Sequence, residues 1–272
     1  MSVLTISASN SLMDSVKTIF DAEFVTVKWH KEGNYTFLEL PRTVEVRSNL
    51  KIMNVLAAII FGQLAHLWIQ RLLQLNYNYF DPEEKQIILR NAYKQLSGCS
   101  RDLYHRVYSV LTDYLMTNDQ INLEGFVRFR IKDFWQFLTE AVDAAVDAYL
   151  IEREYQEFVR LLRYFVELQE PKIEMVNVII DQPDSFHILD YKGEEIQTEH
   201  LEDMILELGH NELDFEDFLI SALITIAPAK LVLHLCQGNR VEQTILNIFT
   251  HRVMVCDGCA LCKDMCNCHK GK

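Results

Sequence analysis

A chain of 272 residues that is 49% hydrophobic and 24% charged, with nine glycines and five prolines, can build one large core or two modest ones. That composition excludes a collagen-like, low-complexity or disordered polypeptide. The net charge of −13 argues against binding a phosphate backbone unless a separate basic face exists. The imbalance is local. Residues 1–169 hold 18 Lys and Arg against 21 Asp and Glu, residues 170–217 hold 2 against 15, and residues 218–272 hold 6 against 3.

The chain opens on an apolar run from Val3 to Ile6, with no basic segment leading an apolar core, so export is not expected. A short helix over 11–20 follows, then two β-rich runs, Phe24 to His30 and Tyr35 to Leu40. Lys31-Glu32-Gly33-Asn34 between them predicts a hairpin closed by Pro41. From Leu50 to Leu75 the chain is very apolar, and Ile52 to Ile69 contains no Asp, Glu, Lys or Arg, enough to span a bilayer. Lys51, Asn54, Ala58, Gly62, His66 and Gln70 nevertheless recur every three or four residues. One polar or small stripe on an apolar helix predicts a core helix rather than a membrane span.

Asp81-Pro82-Glu83-Glu84 is a helix start, with an N-cap acceptor, proline in the first turn and acids at the positive end of the dipole. That helix runs to about Leu96 and stops at Gly98. Another covers 100–116 and is broken by Thr117-Asn118-Asp119-Gln120. Residues 122–169 carry the longest helical signal, as one helix or as two with a bend, with Arg153/Glu157 and Arg163/Glu167 at i,i+4 spacing. Glu140, Asp143 and Asp147 share a face, but no Glu-x-x-His partner lies on this helix, which predicts a solvated surface. The isolated Glu207-Leu-Gly-His210 is equally uninformative. Cations and aromatics interleave from Phe126 to Trp135, a pattern of single-strand binders, yet several of these rings must enter the core. Nucleic acid is therefore not the expected partner.

After Gln169-Glu170-Pro171 the pattern changes. Met175 to Ile180 and Phe186 to Asp190 predict two strands across an Asp-Gln-Pro-Asp turn, followed by helices near 199–208 and 214–226. A strand from Lys230 to Leu235, a helix from Arg240 to Phe249 and a strand from Arg252 to Val255 form a βαβ unit. Five of the seven cysteines then crowd the end, as Cys256-x2-Cys259-x2-Cys262-x3-Cys266-x-Cys268-His269. Two residues between cysteines let both sulfurs face one metal, so zinc or an iron–sulfur cluster is the expected cofactor. Cys236 follows its strand as Cys256 follows the next one. Parallel strands would bring both to one carboxyl edge, making Cys236 a candidate ligand beside Cys256, Cys259, Cys262 and Cys266. Thiol redox sensing is the alternative.

Arg128-Phe-Arg-Ile-Lys-Asp-Phe134, Glu154 to Lys172, Ala222-Leu-Ile-Thr-Ile-Ala-Pro228 and Val255-Cys-Asp-Gly-Cys259 together resemble the YtxC-like sporulation protein family of endospore-forming bacteria. The resemblance covers roughly residues 120–262. It implies a protein of a sporulating cell, with Cys256, Cys259 and Cys262 matching the family's Cys-x-x-Cys end and no assigned activity. There is no Gly-rich phosphate loop, Gly-x-Ser-x-Gly elbow or His-Glu-x-x-His motif. The expectation is a cytoplasmic, non-enzymatic, mostly helical α+β protein with a small N-terminal β-hairpin element, a central helical bundle and a C-terminal mixed α/β region. Its expected divisions are 1–169, 170–256 and a cysteine-rich tail, 257–272, and the acidic segment 174–217 is the expected surface for a protein partner.

Overall fold

The computed structural model describes residues 3–41, 46–98, 101–182, 185–196, 215–235 and 240–261. It forms two compact units, Met1–Ile151 and Glu152–Lys272, and the fold is mostly helical α+β.

In the N-terminal unit, β1 (Val3–Ser9) leads into the helix Asn10–Glu23. The strands β2 (Lys28–Glu32) and β3 (Tyr35–Pro41) make the predicted antiparallel hairpin, and Gly33 supplies the left-handed φ of 57° at its turn. The sheet order is β2-β3-β1-β4, in which β4 (Gln120–Asn122) pairs parallel to β1. Three residues are too few to show a period of two, so β4 was invisible beside the break at Thr117 to Gln120. Alternation puts Leu4, Ile6 and Ala8 of β1 and Leu38 and Leu40 of β3 into the core. There they join Leu12, Met13, Val16 and Phe20 of the first helix.

The apolar stretch is helical over Val46–Ile59 and Ala65–Asn76, joined by a wider π-helical turn at Ile60–Leu64. Its residues Asn49–Asn76 are long and apolar enough to cross a membrane, yet 56% of the most apolar window is buried inside the unit. Leu56, Ile59, Ile60, Leu64 and Ile69 are fully buried in the core, while Lys51, Asn54, Ala58 and Gln70 of the stripe are exposed. This is a core helix. The Tyr93 hydroxyl lies 3.3 Å from the Phe61 carbonyl and 3.2 Å from that of Gly62, within donating reach of a turn whose regular ladder is disturbed.

Asp81 and Glu84 form a complete capping box on the helix Pro82–Ser97, and the helix Arg101–Thr117 follows. The long signal resolves into Leu123–Arg130, capped by Asn122, and Lys132–Leu168. Between them Ile131 leaves helical geometry and is only 3% exposed, so its burial anchors the break. Asp143 accepts the Tyr77 hydroxyl at 2.6 Å, which together with burial pushes the Tyr77 pKa up to about 12. Glu140 accepts from Gln136 at 2.8 Å. Arg153 and Glu157 approach to 4.0 Å, whereas Arg163 donates its Nε–H to the Asn247 carbonyl at 2.7 Å, a contact made wholly within the C-terminal unit.

The C-terminal unit is built on β5 (Ile173–Gln182), β6 (Ser185–Leu189), β7 (Pro228–Leu235) and β8 (Val253–Val255), in the order β6-β5-β7-β8. The two strands expected here, β5 and β6, pair antiparallel, and β7 runs parallel to both β5 and β8. The helix Arg240–Ile248 makes the β7–β8 crossover, as expected. Val176, Val178 and Ile180 of β5 and Leu231 and Leu233 of β7 pack on one face with Leu219 and Leu223 of the helix Phe215–Ile226 and with Val241 and Ile245. Period-two alternation therefore sends Asn177, Ile179, Val232 and His234 to the other face. The helix expected near 199–208 and the pair Glu207 and His210 lie outside the described residues.

Candidate metal centre

His234, the penultimate residue of β7, lies on this second face, opposite Ile179 in the β5–β7 register. It is 2% exposed. A buried imidazole must satisfy its ring nitrogens, and Nε2 lies 3.0 Å from Asn177 Oδ1. The orientation of that amide is set independently, because Asn177 Nδ2 donates to the Asp190 carbonyl at 3.0 Å. Oδ1 is then the acceptor, so Nε2 carries the ring proton and Nδ1 presents a lone pair. Burial also pushes the His234 pKa down, favouring the neutral ring.

Nδ1 faces Cys259 Sγ at 3.5 Å. Cys256 reaches the same place because the β7–β8 ladder continues past β8, its N–H donating to the Leu233 carbonyl at 2.8 Å. Gly258, with φ of 118°, then turns the chain back, a conformation that a side chain would strain. Its N–H approaches Cys256 Sγ at 3.4 Å. Leu261 continues the return and packs on Ile179 and Leu189, so the segment 256–261 crosses the second face from β8 toward β5 and β6. One ligand atom each from His234, Cys256 and Cys259 lies within 4.8 Å of the others, the only such grouping of three among the described residues. Both cysteines are half-buried, reduced thiols.

Of the residues expected from sequence, Cys256 and Cys259 come together here, while Cys236, Cys262 and Cys266 lie outside the described residues, as do Cys268 and His269. His234 was not anticipated. Its signal was a single imidazole in the apolar run Leu231-Val-Leu-His234, matched by a single amide, Asn177, in the apolar run of the neighbouring strand.

The fold and site together define a mostly helical α+β protein whose C-terminal parallel strands bring one imidazole and two thiols together. Residues 50–254 match the family described as the YtxC-like family, and the chain belongs to it. That span includes Asn177 and His234 and ends ahead of Cys256. An uncharacterized protein YtxC of Bacillus subtilis (strain 168) is 28% identical over 193 residues, covering 67% of this chain and 68% of that protein. No solved structure matches.

Proposed function

We propose that the C-terminal unit holds one zinc ion through His234 Nδ1 and the thiolates of Cys256 and Cys259, with a fourth thiolate from Cys236, Cys262 or Cys266. The observation that carries this reading is the Asp190–Asn177–His234 relay, which fixes the tautomer and aims Nδ1 at the thiols, as the outer partners of metal-bound histidines do. Distance supports it as well. Ligands at about 2.3 Å (sulfur) and about 2.05 Å (nitrogen), set at a tetrahedral angle, are about 3.5 Å apart, which is the Cys259–His234 separation of 3.5 Å. A mixed nitrogen and thiolate set favours zinc over an iron–sulfur cluster, which is ordinarily held by four cysteines.

Such an ion would be structural, clamping the segment 256–261 over the sheet. The protein would act without enzymatic chemistry in the cytoplasm of a sporulating cell, with exposed acids such as Glu194 and Glu195 in the segment 174–217 available to a basic protein partner. A second reading, a reversible dithiol sensor, draws support from the Gly258 N–H beside Cys256 Sγ, a contact that favours thiolate. Purification of the full chain without oxygen, with its visible spectrum and metal content, tests the proposal. A colourless protein with one zinc per chain is expected. Brown protein rich in iron overturns zinc in favour of a cluster, and metal-free protein whose thiols oxidise reversibly favours the sensor.

A further inference from the structure

On the N-terminal unit, a cleft of about 1210 Å³ is lined by the end of β1, the helix ending at Asn76 and the two helices on either side of Ile131. Ordinary small-molecule pockets occupy about 300–1,000 Å³, so this one is large. Its cations are Arg71, Arg128 and Lys132, and its one carboxylate is Glu124. Glu124 is already engaged, accepting the Ser9 N–H and the Ser9 hydroxyl, each at 2.8 Å. The three cationic side chains make no ion pair among the described residues. In a chain of net charge −13, three exposed cations against one engaged carboxylate is a segregated basic face.

The same cleft collects rings. Trp68, 9% exposed, meets Trp135 edge-on at 5.2 Å between centroids and holds it in place, while Trp135 remains 39% exposed. Phe129 is 73% exposed. A ring left in water beside cations offers a stacking face rather than core packing. The interleaved stretch thus divides: Phe126 and Phe134 are buried, and Arg128, Phe129, Lys132 and Trp135 line the cleft.

We infer that this cleft binds a phosphorylated nucleoside, either a free nucleotide or a unit of a single strand, with phosphate against Arg71, Arg128 and Lys132 and the base stacked on Trp135 or Phe129. Cations that track phosphate beside rings that accept any base are the two elements of sequence-tolerant single-strand recognition. An acidic peptide would use the cations and leave the exposed ring faces without a role.

Two of the chain's three tryptophans line the cleft, so intrinsic fluorescence of the full chain reports occupancy. Adenosine monophosphate, a short single-stranded oligoadenylate, inorganic phosphate and an acidic peptide are the probes. Saturable quenching by the nucleotide or the oligoadenylate is expected, with inorganic phosphate competing. Equal affinity for both identifies a mononucleotide site. An oligoadenylate bound about tenfold more tightly, with steep salt dependence, identifies a strand. Arg128→Gln with Lys132→Gln, both exposed and remote from the core, is expected to weaken binding at least about tenfold, flatten the salt dependence and leave the unfolding midpoint unchanged. The inference fails if neither adenylate quenches saturably, if the double variant binds as before, or if only the acidic peptide binds.

Discussion

His234→Ala is expected to strip zinc from the C-terminal unit, and Asn177→Ala to lower zinc affinity about 10–100-fold although Asn177 touches no metal. The two effects separate ligation from orientation. Removing the imidazole takes away a ligand atom, whereas removing the amide frees the ring to exchange tautomers and rotate away from Cys259, now 3.5 Å from Nδ1. Each change also strands a buried polar partner: Asn177 Oδ1 in the first, the Asp190 carbonyl and His234 Nε2 in the second. Stability should fall by about 1–3 kcal/mol on that ground alone. Metal-free samples therefore measure the hydrogen-bond loss, and competition against a chromophoric chelator measures affinity. Unchanged zinc affinity in Asn177→Ala would show that the Asp190–Asn177 relay does not orient a metal-bound ring.

Leu56→Ala is expected to cost about 2–5 kcal/mol in denaturant unfolding of the full chain, because Leu56 is fully buried and its truncation leaves a cavity in the core of the N-terminal unit. Ala58→Gln, on the exposed stripe of the same helix, should stay within about 0.5 kcal/mol. The contrast tests the core assignment of the apolar helix. A helix facing lipid would be indifferent to the first change and would resist the second. The stripe made this legible in sequence, since six polar or small residues at three- and four-residue spacing leave the remaining positions to form a continuous buried surface.

Other features were readable for the same reason: they are local. The Asp81 to Glu84 cap, the Gly33 hairpin and the β7–helix–β8 crossover each sit within a short span whose residue types dictate the geometry. From the crossover, the place of Cys256 at the carboxyl edge of parallel strands followed directly. His234 did not, because its role depends on non-local pairing. Only the β5–β7 register puts Asn177 and His234 on one face, and only the return after Gly258 brings Cys259 over them. Two polar residues interrupting neighbouring apolar strands were the visible trace, and a pattern of that kind names a buried pair without saying what else meets it. In the stretch from Phe126 to Trp135, composition correctly indicated rings and cations, but the division between core and cleft depended on the burial of Ile131 at the break between two helices.

The most direct test of the zinc site is X-ray absorption at the zinc edge of the zinc-loaded full chain. Coordination by His234, Cys256 and Cys259 predicts a mixed first shell, with nitrogen at about 2.0–2.1 Å and sulfur at about 2.3 Å, and with the imidazole's outer-shell scattering lost in His234→Ala. A shell of sulfur alone, unchanged by His234→Ala, would contradict it.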